Sequence, residues 1–397
     1  MENKKFCIKP FNSIHVGTTG RISACCVSRT KHSDFKGNLY FNVKEHTIQD
    51  FWTSDYIKNL RSQFLKGERP KECQTCWREE SQNITSLRQF TNRQYQILGN
   101  KDPQKYLKIL KKENLLHPED YNLDISNLCN LKCYMCHGGS SSKLLVENNV
   151  LGIEKLNQSD YEYTDDKIEH LIQQIIEHKV KYITLQGGEP LLNPKIIKIL
   201  HKLSEKDYAN EMSVWITTNG TIYNDRIPQI LQQFGNVKLI FSVDGVGKVN
   251  DYLRFPSKFS EIESNIKKYK NLDNATFMIT CTVQNFNLLN VREMIDFAHD
   301  MSIHLYLNYL YWPSYLHLSV LPKKIKERAL EKIRNTKKEK LIHVTNFDSL
   351  LDVITNQINV TDVSKMQTFK NMIVTRDRYR KIHIKDFIPE ISQVLNI

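Results

Sequence analysis

No stretch of this chain approaches the roughly 20 consecutive apolar residues of a membrane-spanning helix, so neither such a helix nor a membrane partner is expected. Lys4 and Lys5 are not followed by a long apolar segment, so no secretory signal is expected and the chain reads as cytoplasmic. Low-complexity tracts are missing too. What is there is ordinary for a folded protein: 397 residues, 40% hydrophobic, 10% aromatic and 25% charged. That balance excludes a mostly disordered chain, and the length exceeds what one compact core usually holds, so two or three domains are expected. The formal charge is +12. Its lysines are spread through helix-like segments such as 323–340, so solvated faces are the reading and nucleic acid is not an expected partner.

In a reducing compartment structural disulfides are disfavoured, and clustered thiols read as metal ligands. The chain has nine cysteines. Cys7, Cys25, Cys26, Cys73 and Cys76 fall in the first fifth, while Cys129, Cys133 and Cys136 form a tight run. Cys281 stands alone inside an apolar run and reads as a core thiol. Two metal sites are expected.

From residue 121 onward, short apolar runs alternate with longer amphipathic segments, the signature of βα units and a parallel sheet. Strands are expected over 121–126, 181–186, 212–217, 237–243, 275–283 and 303–310. Helices are expected over 165–177, 194–205, 225–234, 259–271 and 288–301. Six units fit a partial (β/α)6 barrel of the α/β class. In such folds the loops at the carboxyl ends of the strands converge, and reacting groups gather there. The polar and glycine-rich motifs fall in those loops. The three cysteines follow the first strand, Gly187-Gly188-Glu189-Pro190 the second, Thr218-Asn219-Gly220 the third and Asp244-Gly245 the fourth.

The expected domains are a small cysteine-rich metal domain over 1–100, a charged linking helix over 101–118, the barrel over 119–321 and a helical, basic extension over 322–397. In the first of these, 48–66 is the main periodic segment.

The spacing Cys129-x3-Cys133-x2-Cys136 places three thiolates on one loop, enough to hold three corners of a cubane iron-sulfur cluster and too few to close it. The open iron could bind a substrate or cofactor. A zinc site with His137 as fourth ligand is the alternative, although an adjacent histidine is awkwardly placed to face the same ion.

On these residues the chain resembles the radical S-adenosylmethionine superfamily, whose signature is this cysteine spacing after the first strand of a six-unit partial barrel. The resemblance implies a [4Fe-4S] cluster on Cys129, Cys133 and Cys136 that binds S-adenosylmethionine (SAM). Gly187, Gly188 and Glu189 are similar to the family's GGEP segment, which meets the cofactor's amino group. Thr217, Thr218 and Asn219, then Ser242 and Asp244, stand where relatives place polar groups near its carboxylate or ribose. Arg254 resembles an arginine that pairs with the cofactor carboxylate, and Asn285 or Asn287 would support it. Met135 stands where the family more often has an aromatic residue against adenine. The implied activity is reductive cleavage of SAM to a 5'-deoxyadenosyl radical that abstracts hydrogen from substrate. An external donor such as flavodoxin or ferredoxin would supply the electron. No general base is expected in that step.

Cys73-x2-Cys76 is a metal-clip spacing that Cys7 and Cys25 could complete, with Cys26 as the alternative to Cys25. This region resembles the Twitch and SPASM auxiliary-cluster regions of radical enzymes, placed here before the barrel instead of after it. An auxiliary [4Fe-4S] cluster is implied, with zinc as the alternative, since spacing does not separate two four-thiolate sites. Peptides or proteins are the expected substrates because relatives of that kind often act on them. A nucleotide, sugar or other small metabolite is the second enzymatic reading. A noncatalytic zinc- or nucleic-acid-binding module is the reading outside the enzymes.

Overall fold

A computed structural model of the chain describes residues 5–28, 41–82, 84–97, 117–161, 163–310 and 312–397. The described residues fall into two compact units. One takes residues up to 127 with 157–216 and 229–237; the other takes 128–156, 217–228 and 238–397. Of the linking helix expected over 101–118, only His117 and Pro118 lie within the described residues.

The first unit is built on parallel strands. β1 (Ser13–Val16) pairs antiparallel with the short edge strand β2 (Ile22–Ser23) and parallel with β3 (Asp120–Asp124). β3 pairs with β4 (Tyr182–Gln186), and β4 with β5 (Ser213–Thr218), again in parallel. β3, β4 and β5 are expected strands displaced by one or two residues. β1 is not among them. Its four residues are all buried, and it sets Ile14 opposite Tyr121 and His15 opposite Asn122. The amino-terminal region thus extends the sheet as well as carrying cysteines, and a strand so short leaves no periodicity to read.

The helices Asp165–Glu177 and Pro194–Ser204 follow their strands as expected. The first buries Ile168, Leu171, Ile172 and Ile175, one stripe at three- and four-residue spacing. In the second, Asn193 accepts a hydrogen bond from the Lys195 amide and Pro194 occupies the first turn, where its missing N–H costs nothing. The segment 48–66 is two helices, Ile48–Trp52 and Asp55–Leu65. Ser54 divides them because its backbone is extended and its hydroxyl caps the Ile57 amide.

The second unit contains most of β6 (Asn236–Ser242), then β7 (Ala275–Val283), β8 (His304–Tyr309) and β9 (Val344–Thr345) in that order. β8 pairs in parallel with both β7 and β9. Phe259–Tyr269 and Val291–Asp300 are the expected helices, each a few residues shorter. Ser142–Val150 and Lys248–Leu253 are helices that the alternation does not foretell. The extension is helical as expected over Lys323–Arg334, Phe347–Gln357, Val363–Arg380 and Pro389–Leu395, and it also supplies β9. Among the described residues no helix is long and apolar enough to cross a membrane.

Candidate functional site

The three-cysteine loop belongs to the second unit and is tied down along its backbone. The Lys132 amide donates to Phe255 O at 2.6 Å and the Tyr134 amide to Leu253 O at 3.0 Å. Ser141 Oγ donates to Leu131 O at 2.6 Å while capping the Leu144 amide, so one serine closes the loop and starts the helix Ser142–Val150. Cys129 and Cys133 are buried with Leu131, and Met135 and Cys136 pack against them. Burial raises the Cys133 thiol against the opposing charge of Arg254. Cys136 is raised by burial and then by Cys133 and Cys129, so the three thiols act on one another. A metal centre would replace their protons.

Arg254 is committed to the protein. Its Nη2 lies 2.7 Å from Asp244 Oδ2 and its Nη1 3.9 Å from Cys133 Sγ. Asp244 is fully buried; its Oδ1 accepts from the Thr282 amide at 2.7 Å, and its carbonyl accepts from Asn287 Nδ2 at 2.7 Å. Burial raises the Asp244 carboxyl while Arg254 opposes the rise. The Arg254 Nε is a buried donor with no hydrogen-bond partner among the described residues.

Asn219 Nδ2 donates to Asn130 Oδ1 at 3.0 Å and reaches Cys129 Sγ at 3.9 Å, while its Oδ1 accepts from the Thr221 amide. Thr218 Oγ1 accepts from the Gly220 amide. Ser242 ends β6, half-buried. Asn285 Nδ2 donates to Tyr315 O at 2.9 Å, while its Oδ1 is buried with no hydrogen-bond partner among the described residues. Cys281 is buried in β7 and accepts from Asn287, as a core thiol does. His137 Nε2 lies 3.4 Å from Ser140 Oγ.

The first unit holds the other predicted residues. Cys7, Cys25, Cys73 and Cys76 line one cavity, together with Lys9 and Arg88. Cys26 is not on its wall. Cys73 and Cys76 are one turn apart at the start of the helix Gln74–Ser81, which puts both thiols on one face. Burial pushes the Cys7 thiol up to about 12 and Cys76 to about 11. Cys73 and Cys25 are raised by burial and then by neighbouring thiols. Arg88 is held by Glu80 at 2.7 Å and Lys9 by Asp120 at 3.0 Å.

Gly187 is required by sterics. It has φ +109°, and a Cβ there would lie 2.9 Å from Ser126 O. The Gly188 amide donates to that same oxygen at 2.9 Å, so the turn after β4 lies against the segment following β3. Glu189 is buried and its carboxylate accepts from the Leu191 amide.

One group at the carboxyl end of β3 escapes sequence reasoning. His15 Nε2 lies 3.0 Å from Asp124 Oδ2 and its Nδ1 3.1 Å from Ser23 Oγ. Asp124 Oδ1 is buried with no hydrogen-bond partner among the described residues. Only the β1–β3 register brings these residues together, and no spacing signals it.

Among the described residues no three His, Cys, Asp or Glu side chains converge as the ligands of a single metal ion do. The donor sets fit a larger group. Three mutually interacting thiols on one loop leave a corner open, and four thiols around a cavity close another.

Two family models match the chain: the radical SAM superfamily over residues 123–298 and the iron-sulfur cluster-binding domain SPASM over 7–77. The SPASM match lies ahead of the radical SAM match, the inverted order read in the sequence. The sporulation killing factor maturation protein SkfB of Bacillus subtilis is 27% identical over 180 residues, 45% of this chain and 39% of that protein. A probable GTP 3',8-cyclase of Methanocaldococcus jannaschii is 21% identical over 182 residues, 45% of this chain and 54% of that protein. The chain therefore spans about two-fifths to one-half of these relatives. Streptococcus suis SuiB bound to S-adenosylmethionine aligns with a TM-score of 0.41 at 17% identity, covering 75% of this chain and 61% of that one.

Proposed function

Because the chain is a radical SAM superfamily member with an iron-sulfur cluster-binding domain on its amino-terminal side, we propose that it modifies a peptide or protein by radical chemistry. What supports a peptide or protein substrate is the SPASM region over residues 7–77, where Cys7, Cys25, Cys73 and Cys76 wall a cavity, together with the similarity to the maturation protein SkfB. Four thiolates leave no open iron for a small substrate, so that site is suited to moving electrons. This reading divides the chain into a cluster domain over 1–100, a linking helix over 101–118, a barrel over 119–321 and a helical extension over 322–397. It places the protein in the cytoplasm with a flavodoxin or ferredoxin as donor.

When bound, a reduced cluster with SAM supplies a 5'-deoxyadenosyl radical able to remove a substrate hydrogen. The protein supplies position and exclusion of water. Cys129, Cys133 and Cys136 would hold the cluster. Gly187, Gly188 and Glu189 would serve the cofactor's amino group, Thr218, Asn219, Ser242 and Asp244 its other polar groups, and Met135 would stand near adenine. Arg254, paired with Asp244 at 2.7 Å and 3.9 Å from Cys133 Sγ, would turn its Nε, unpartnered among the described residues, toward the cofactor carboxylate.

A nucleotide substrate is the second reading, favoured by the GTP 3',8-cyclase among the relatives. The two separate in one assay. The anaerobically reconstituted chain is given dithionite, SAM and either a short precursor peptide encoded beside its gene or GTP. Peptide-dependent 5'-deoxyadenosine with a mass loss in the peptide supports the proposal; turnover with GTP and none with peptide overturns it.

A further inference from the structure

A single buried carboxylate in the second unit collects three cations. Glu147, in the helix that follows the cluster loop, is fully buried. Arg380 Nε lies 3.1 Å from both of its oxygens, and Arg380 Nη2 lies 2.8 Å from Oε1. The Arg376 guanidinium binds Oε1 as well, and its Nη2 donates to Asn148 Oδ1 at 2.8 Å. Lys132 Nζ, from within the cluster loop, lies 3.3 Å from Oε2. Arg380 Nη2 also donates to Lys132 O at 2.8 Å, and its guanidinium lies 4.6 Å from the centre of the Tyr134 ring.

Both arginines come from the helix Val363–Arg380, in the extension that the sequence left without a role. Its Asp377 fixes the same place, accepting from Tyr252 Oη at 2.8 Å and Tyr134 Oη at 3.2 Å. Burial raises the Asp377 carboxyl, and with it counted as ionised three cations still face only two carboxylates.

The charges do not balance. Three cations meet one carboxylate, and removing two arginines from water is costly unless something else compensates. Arg380 Nη1 and Arg376 Nε are buried donors with no hydrogen-bond partner among the described residues. Arg380 thus lies against both sequence neighbours of Cys133, bonding the Lys132 carbonyl and covering the Tyr134 ring. A cluster held by Cys129, Cys133 and Cys136 would carry negative charge beside this surplus and would gain one more negative charge on reduction.

Resting on the radical SAM reading of this loop, we propose that Arg376 and Arg380 are positioning residues for the Cys129, Cys133 and Cys136 cluster. Through Glu147 and the Lys132 carbonyl they fix the loop. Their excess charge favours the cluster's one-electron reduced state, the electron coming from the external donor.

The test is a redox titration of the reconstituted full chain, following by electron paramagnetic resonance the signal that changes when SAM is added. Arg380→Met lowers the midpoint potential enough to reduce the reduced-to-oxidised ratio about tenfold at fixed poise, roughly 59 mV for one electron. Arg380→Lys keeps most of the charge and shifts it less. Glu147→Gln adds net positive charge and shifts the potential upward. Opposite shifts from two lesions in one ion cluster are not produced by mere loosening of the loop. Unchanged potentials in both Arg380→Met and Glu147→Gln, with wild-type iron content, overturn the inference. Should Arg380→Met lose its iron, the direction of the Glu147→Gln shift decides: upward supports, unchanged or downward overturns. The underlying reading fails separately, if Cys129→Ala keeps the SAM-responsive signal.

Discussion

Arg254 bridges Asp244 and Cys133: one guanidinium nitrogen lies 2.7 Å from the buried carboxylate and the other 3.9 Å from the thiol sulfur. Removing the cation strands Asp244 without its partner. Arg254→Met is expected to destabilise the protein by about 3–5 kcal/mol and to weaken iron retention at this loop. The double variant with Asp244→Asn recovers much of that stability. Denaturant titration of both checks it; a double variant no more stable than the single one contradicts the pairing.

Cys7, Cys25, Cys73 and Cys76 line one cavity and are the proposed auxiliary ligands. Two [4Fe-4S] clusters give about eight irons per chain, and Cys73→Ala with Cys76→Ala is expected to lose about half. Cys25→Ala loses iron from the same site, whereas Cys26→Ala keeps its full content because Cys26 is off the cavity wall. Iron and sulfide assays after anaerobic reconstitution decide; equal loss from Cys25→Ala and Cys26→Ala removes the distinction.

Gly187 sits at φ +109° with no room for a side chain toward Ser126 O. Gly187→Ala is expected to cost about 1–3 kcal/mol and to weaken SAM binding by displacing the turn. Thermal unfolding and calorimetric titration with SAM measure the two effects. An alanine variant with wild-type behaviour in both would show that the turn relaxes freely.

Burial pushes the Glu147 carboxyl up, but the Arg380 hydrogen bond and the charges of Arg380, Arg376 and Lys132 outweigh it and hold the group below its ordinary value of 4.5. A carboxyl held lower when folded stabilises above its unfolded value, and that share vanishes as pH falls through the folded one. The stability gap between wild type and Glu147→Gln should therefore narrow as pH drops below 4.5. Melting temperatures across that range test it, and a gap independent of pH refutes it.

Asp124 keeps one buried oxygen without a hydrogen-bond partner among the described residues while His15 holds the other at 3.0 Å. Asp124→Ala leaves His15 Nε2 without its partner and is expected to cost about 1–3 kcal/mol. Denaturant titration measures the loss, and unchanged stability contradicts the pairing.

Local chemistry was legible along the chain. Three cysteines on one loop, a glycine pair after a strand and a clip of two cysteines can be picked out by spacing, because each pattern needs only neighbours in sequence. β4 and the helix Asp165–Glu177 were legible for the same reason, their periods being contained in one segment. The partner of Arg254 was not, since Asp244 is no less a turn residue by spacing than by resemblance a cofactor contact.

The sequence by itself therefore determined the βα series, the two sets of thiols and the order in which they occur. Tertiary structure alone decided that Cys25 and not Cys26 faces the cavity, and that β1 lies beside β3 with His15 against Asp124. It alone brought Arg376 and Arg380 to a carboxylate more than 200 residues away, at separations of 229 and 233. The reason is physical. Burial of a charge selects its partner by what remains close when water is removed, and that depends on how distant segments pack, which no local pattern records.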